Sequence, residues 1–137
     1  MPLYNVACRH PLPQTTRKAI STAITDTHCG VTDAPPEFVN VIFMHGYSLK
    51  NQRRLDIVGG IRTGGNRSAE MIDQLRQALH KHVCAAANLP AHQVAIELIG
   101  VEPSWVMEGG MILPEPGAED DWMQDFKAAK AVKPATS

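Results

Sequence analysis

The fold is decided by the order of three patterns, "IVGGIR" (57–62), "SAEMIDQLRQALHKHVCAAA" (68–87) and "QVAIELI" (93–99). The first and last are short and rich in β-branched residues, which is typical of strands. The middle one carries Leu75 and Leu79 on one helical face. A strand, a helix and a strand in this order predict a β-α-β unit with a right-handed crossover and parallel strands.

The first half of the chain repeats this order. Its pattern predicts a strand (3–8, "LYNVAC"), a helix (about 13–29) and a strand (38–45, "FVNVIFMH"). Pro13 favours the start of the helix, and Gly30 predicts its end. The two halves align with Ile20 over Leu75, so the chain is predicted to contain a duplicated β-α-β unit.

The duplication predicts an α/β (α+β) fold, with a four-stranded sheet and both helices on one face. We expect one domain over 1–137, with pseudo-repeats at about 2–46 and 56–100 and a tail over 101–137. The tail should form a loop or short hairpin, then a helix in "AEDDWMQDFKAAKA" and a frayed "VKPATS". The second sheet face would be left bare, which predicts a homo-oligomer.

Composition narrows the class of protein. A net charge of −1 over 137 residues argues against a nucleic-acid or membrane-surface partner, because phosphate binding needs clustered positive charge. The start lacks a signal-peptide pattern and no apolar stretch is long enough to span a bilayer, so we expect a cytoplasmic protein. Three irregularly spaced cysteines predict reduced thiols in place of a disulfide framework.

The start of the chain offers an unusual base. Pro2 follows Met1, and removal of Met1 would leave Pro2 with a free secondary amine. If Met1 is retained, the Pro2 nitrogen is part of an amide and has no basicity. The alternative is that proline stands there by chance.

Two other patterns are interpreted as structural. His80 and Cys84 lie four residues apart in the second helix, a spacing that a metal site can use, but no second ligand pair accompanies them. "GGIRTGGNRS" (59–68) lacks the lysine of a P-loop and the spacing of a dinucleotide fingerprint. We therefore expect no metal and no cofactor, and we expect these glycines to let the backbone turn close to a pocket.

Three stretches carry a family resemblance: "AITDTHCGVT", "RSAEMIDQL" and "MEGGMILPEPGAEDDW". Together with Pro2 and the duplicated unit, they resemble the tautomerase superfamily, and within it the cis-3-chloroacrylic acid dehalogenase group, over roughly residues 2–123. The resemblance implies a catalytic amino-terminal proline in a pocket near a subunit boundary, a homotrimer and no cofactor.

The resemblance also implies roles for individual residues. Pro2 corresponds to the catalytic proline, His28 in "TDTH" to the active-site histidine and Glu108 in "MEGG" to the catalytic carboxylate. Histidine can bind a substrate oxygen, and a carboxylate can orient and deprotonate water. As alternatives, His28 could interact with the helix dipole and Glu108 could be merely exposed.

The substrate-binding arginines of the family correspond to Arg62 and Arg67. This chain has four residues between them where the family has two, so Arg67 is the closer match. Arginine forks can hold a carboxylate with two hydrogen bonds, although both could instead be solvated surface residues. The family's tyrosine on the fourth strand falls on Leu98, which leaves its role unfilled.

These residues predict an enzyme that acts on a small unsaturated or 2-oxo carboxylate. The leading interpretation is water addition to cis-3-haloacrylate-type acids, with hydrolytic dehalogenation where a halide is present. Keto–enol tautomerisation of phenylpyruvate-type acids is the alternative, because it needs no activated water. A non-catalytic oligomeric binding protein with the same fold is the third possibility.

Overall fold

A computed structural model describes residues 1–132, and most of the segment predicted to be frayed, 133–137, lies outside them. The strands are β1 (Leu3–Cys8), β2 (Asn40–Met44), β3 (Leu55–Arg62), β4 (Val94–Val101), β5 (Met107–Glu108) and β6 (Met111–Ile112). The helices are α1 (Gln14–Thr32), α2 (Ala69–Ala87) and α3 (Glu119–Val132). None of these helices is long and apolar enough to cross a membrane.

The main sheet has the strand order β2-β1-β3-β4. β1 is parallel to β2, and β3 is parallel to β4, as two β-α-β crossovers require. The two units join through the antiparallel pair β1 and β3, in which Tyr4 lies opposite Gly59. The predicted four-stranded α+β fold is confirmed.

Both long helices cover the same face of the sheet, as predicted. In β1, Tyr4, Val6 and Cys8 are buried while the residues between them are only partly so, which is the alternation of a one-sided strand. Against them pack Ile20 and Ile24 of α1, Leu75, Leu79 and Val83 of α2, and Leu55, Ile57 and Ile61 of β3. This cluster forms the main core.

The first helix is longer than predicted. It continues through Gly30 to Thr32, and it ends at Asp33, which has a left-handed φ of 63° and donates its N–H to the carbonyl of Cys29. Asn88 ends α2 in the same way, with φ of 54°. Gly30 therefore does not end the helix, because the left-handed position comes three residues later.

Within residues 1–132, no helix covers the other face of the sheet. Ile42 and Ile99 lie on it and are 46% and 48% exposed. Their strands are the outer two of the sheet, so apolar side chains are exposed at both edges of this open face. An exposed apolar surface of this kind is typical of an interface.

The tail forms the predicted hairpin and helix. Gly109 and Gly110 connect β5 to β6 with φ of 59° and 81°. A type I′ hairpin turn requires positive φ at both of its central residues. Trp122 of α3 packs edge-on against Phe38 at 5.6 Å between ring centroids and donates its indole N–H to the carbonyl of Ile112. The tail thus covers the region where β1 begins and β3 ends.

Candidate active site

The start of the chain lies next to Glu108. Pro2 is buried, and its carbonyl accepts the N–H of Asn40, which holds it at the start of β1. The amine of Met1 forms an ion pair with the Glu108 carboxylate of β5. Burial lowers the pKa of this amine, whereas Glu108 raises it. The structure thus brings together the sequence positions of the predicted base and the predicted carboxylate.

His28 lies in the interior at the end of α1. It is 0% exposed, and its Nδ1 is 2.7 Å from the hydroxyl oxygen of Tyr4. Its Nε2 is buried and has no hydrogen-bond partner. Burial, followed by the positive charges of Arg67 and Arg62, lowers the pKa of His28 from 6.5 to about 3. The ring is therefore neutral near pH 7, and it does not interact with the helix carbonyls as the alternative required.

Arg67 stands at the turn before α2 and is partly buried. One of its terminal nitrogens donates to the carbonyl of Thr32 at 3.2 Å and to the side chain of Asn66 at 2.5 Å. Its Nε is buried without a partner. Burial and the nearby charge of Arg62 lower the pKa of this guanidinium. Arg67 thus retains one free, desolvated donor.

Arg62 differs from Arg67 because its hydrogen bonds are already made within the chain. The side chain is 2% exposed and forms an ion pair with Glu119 at 2.8 Å. A second terminal nitrogen donates to the carbonyl of Pro114 at 2.6 Å, and the guanidinium lies 5.5 Å from the Phe38 ring centroid. These contacts connect the end of β3 to the start of α3.

A cationic cluster lies around His28 and consists of the amino terminus, Arg62 and Arg67, of which the first two pair with Glu108 and Glu119. The amino terminus, Arg62 and Arg67 all act electrostatically on His28, and Arg62 also acts on the amine of Met1. Within residues 1–132, the buried side-chain polar atoms without a partner are His28 Nε2 and Arg67 Nε. Since buried polar atoms are normally satisfied, two such nitrogens in one cationic cluster favour an anionic ligand with oxygen acceptors.

A pocket opens beside the amino-terminal ion pair. It is lined by Met1, Leu3, Asn40, Ile42, Met107 and Glu108. Leu3 and Ile42 belong to the open face of the sheet, so this pocket connects the chain start with the exposed apolar surface.

Two residues of the cluster were missed by the sequence analysis. Tyr4 lies on the buried face of β1, as the alternation of that strand indicates. Since a buried tyrosine hydroxyl usually has a hydrogen-bond partner, this alternation is the sequence signal that could have identified Tyr4. Glu119 lies in the acidic start of the predicted tail helix, and nothing in the sequence relates it to Arg62. Leu98 lies beside the Tyr4 ring, because a Cβ on Gly59 would meet both side chains within 3 Å.

His80 and Cys84 lie apart from this cluster, whereas the glycine-rich segment 59–68 contributes Arg62 and Arg67 to it. The Nε2 atom of His80 is 3.0 Å from the carbonyl oxygens of Ala91 and Val94, and 3.9 Å from the sulfur of Cys84. In the part of the chain that the structure describes, no group of three His, Cys, Asp or Glu side chains could hold a metal ion. Gly65 has a φ of 56° and its backbone approaches Pro116 so closely that a Cβ would lie 2.2 Å from the carbonyl oxygen.

No family model and no curated protein matches the sequence. Among solved structures, N1, a member of the cis-3-chloroacrylic acid dehalogenase (cis-CaaD) family, is 26% identical with a TM-score of 0.81, over 95% of this chain and 99% of that one. A fused 4-OT wild-type asymmetric trimer has a TM-score of 0.71 at 15% identity, over 81% of this chain and 95% of that one.

A third structure, Pt0534 inactivated by 2-oxo-3-pentynoate, has a TM-score of 0.66 at 19% identity, over 81% of this chain and 96% of that one. The last two similarities concern the fold alone, whereas N1 is similar in sequence along nearly the full length. The resemblance predicted from the sequence is therefore confirmed: the chain has the fold of the tautomerase superfamily and resembles its cis-3-chloroacrylic acid dehalogenase group.

Proposed function

We propose that this chain is a cofactor-free enzyme that uses the amine of Pro2, after removal of Met1, as the acid or base in reactions of small unsaturated or 2-oxo carboxylates. The observation that carries the proposal is the placement of the chain start and Glu108 beside a cationic cluster with two buried, unpartnered nitrogens. The similarity to a cis-CaaD family member supports the same reaction class.

Removal of Met1 would shift the amine to Pro2 and vacate the space of the Met1 side chain. Consecutive Cα atoms are about 3.8 Å apart, so the new amine would stay within reach of Glu108 through a bound water or substrate. Arg67 and His28 would bind the substrate carboxylate or an adjacent carbonyl oxygen. Arg62 would add positive charge to the site and hold the tail in place through Glu119.

Water addition requires a general base and a general acid, and Glu108 and Pro2 would supply them. Glu108 removes a proton from water as the water oxygen bonds to the distal carbon of the double or triple bond. Pro2 in its ammonium form delivers a proton to the carbon next to the carboxylate. Where the distal carbon carries a halogen, the resulting halohydrin then collapses: its hydroxyl loses its proton to solvent, the C–O bond becomes a carbonyl and the halide leaves from the same carbon.

Keto–enol tautomerisation is the second candidate reaction. Leu98 occupies the position of the family's tyrosine and has no hydroxyl to polarise an attacking water. Proton transfer by Pro2 alone needs no such water, so this substitution favours tautomerisation. The 2-oxo acid that inactivates Pt0534 belongs to the corresponding substrate class.

The assembly proposed here is a homotrimer that buries the open sheet face. The exposed isoleucines on that face and the trimeric state of the fused 4-OT structure support it. The pocket beside Glu108 would then lie near a subunit boundary, because it continues onto the same face.

The test combines mass and kinetics. Intact mass should show a chain that lacks Met1, and turnover should be measured with cis-3-chloroacrylate, propiolate and phenylpyruvate. Pro2→Ala should retain the fold and lose about 10²-fold or more in rate, the scale of a lost acid–base group. The exposed Pro11→Ala is the matched control and should lose nothing. Unchanged turnover in Pro2→Ala, or full activity with Met1 retained, would refute the proposal.

A further inference from the structure

We propose that Tyr4 is a positioning residue: its hydroxyl donates to Nδ1 of His28 and thereby keeps the imidazole proton on Nε2. Nε2 is then a fixed N–H donor for a substrate oxygen. This inference rests on the proposed function, because it assigns to His28 the binding of that oxygen.

The contact between the two side chains is short and fully enclosed. Both residues are 0% exposed, and the hydroxyl oxygen lies 2.7 Å from Nδ1. The rings meet edge-on at 78°, with centroids 5.8 Å apart. Gly59 makes room for this arrangement, since a Cβ there would come within 2.5 Å of the Tyr4 ring. The packing against Gly59 and the contact with His28 therefore fix the position of the Tyr4 ring.

The direction of the hydrogen bond follows from counting partners. In the described residues, the Tyr4 hydroxyl has His28 Nδ1 as its partner and no other. If Nδ1 carried the proton and donated it, the hydroxyl hydrogen of Tyr4 would be buried without an acceptor, which is costly. Donation from the hydroxyl satisfies both Tyr4 and Nδ1 and places the ring proton on Nε2.

The surrounding charges favour the same state. The groups that act on His28 are Arg67, Arg62 and the amino terminus, all of them positive, and they disfavour a second proton on the ring. Burial raises the pKa of Tyr4, so its hydroxyl keeps the proton that it donates. A neutral ring with an occupied Nδ1 can act toward a ligand only as a donor through Nε2.

The opposite tautomer would be unsuited to the proposed substrate. It would direct the Nε2 lone pair at a carboxylate or carbonyl oxygen, and two acceptors repel each other. With the proton on Nε2, His28 and the free Nε–H of Arg67 supply two donors in one cationic site. The Tyr4 hydroxyl therefore acts on substrate binding through His28, without touching the substrate.

The tautomer can be measured directly by ¹⁵N NMR of imidazole-labelled protein without substrate near pH 7.5, with His28 assigned by comparison with His28→Gln. The expected result is a protonated Nε2 and an unprotonated, hydrogen-bonded Nδ1. A protonated Nδ1 with a bare Nε2 would overturn the inference. Because this measurement needs no turnover, it decides the tautomer even if Pro2→Ala disproves the proposed function.

Kinetics test the consequence. Tyr4→Phe should lower kcat/KM for carboxylate substrates about threefold to tenfold, the effect of one lost hydrogen bond. The same change should have almost no effect in a His28→Gln background, since the hydroxyl acts through the histidine. Tyr47→Phe, at the exposed tyrosine, is the matched control and should be silent. An equal loss from Tyr4→Phe in both backgrounds would contradict positioning of His28 and indicate a packing role.

Discussion

Replacing Glu119 with alanine should destabilise the fold strongly, because it leaves Arg62 buried without its counter-charge. The two side chains are 10% and 2% exposed, and the ion pair measures 2.8 Å. Removing one partner of a buried pair costs about 3–5 kcal/mol, since the remaining charge is neither solvated nor neutralised. Glu119 also accepts the N–H of Gly117, so the turn before α3 loses a second contact.

Urea unfolding followed by circular dichroism, at one fixed protein concentration, measures this loss. With a denaturant slope of about 1.5 kcal/mol/M, the midpoint should fall by about 2–3 M. Asp73→Ala is the matched control, because Asp73 pairs with Arg76 on the surface, where both are about half exposed. That pair should contribute less than about 1 kcal/mol.

A third variant separates charge from packing. Arg62→Met combined with Glu119→Leu removes both charges and keeps apolar volume, so it should recover most of the stability lost in Glu119→Ala. If Glu119→Ala lowers the free energy of unfolding no more than Asp73→Ala does, the Arg62–Glu119 pair does not behave as a buried ion pair and the prediction is wrong.

Three further results are expected. Because the pKa of His28 is about 3 in the folded protein and 6.5 as a free group, its contribution to stability is complete above pH 6.5. That contribution should decline by up to about 1.4 kcal/mol per pH unit toward pH 3, so urea unfolding of His28→Gln should be less acid-sensitive than that of the wild type, and parallel pH profiles would contradict this. Arg67→Ala should lower kcat/KM for carboxylate substrates by the equivalent of about 2–5 kcal/mol of lost transition-state stabilisation. Amide analogues that react as well as the acids would refute the carboxylate contact. Sedimentation should show a trimer that Ile42→Glu dissociates and the exposed Val132→Glu does not; a stable wild-type monomer at micromolar concentration would refute burial of the open face.

The elements that the sequence predicts well are those with repeated local signals. The alternation in β1 and the apolar faces of α1 and α2 determine the sheet, its buried face and the crossovers. The end of α1 was predicted wrongly because Gly30 is only permissive, whereas the left-handed conformation of Asp33 ends the helix.

The candidate site was predictable only in part. Pro2, His28, Glu108 and the arginines came from motif resemblance, and the fold brings them together. The pairing of Arg62 with Glu119 could not be predicted, because the two are far apart in sequence and their contact depends on the path of the tail. The contact of Tyr4 with His28 depends likewise on packing between a strand and a helix.

The central claim, a reactive amine at Pro2, is tested most directly by covalent labelling. The protein is incubated with 2-oxo-3-pentynoate, the compound that inactivates the structurally similar Pt0534, and the tryptic peptide Pro2–Arg9 is then sequenced by mass spectrometry. We expect 2-oxo-3-pentynoate to react only with chains that lack Met1, either by forming one adduct on the Pro2 nitrogen or by being hydrated at its triple bond, and we expect a competing carboxylate to suppress both outcomes. Chains that lack Met1 but show neither an adduct on Pro2 nor hydration, or labelling confined to cysteine thiols without hydration, would contradict the account.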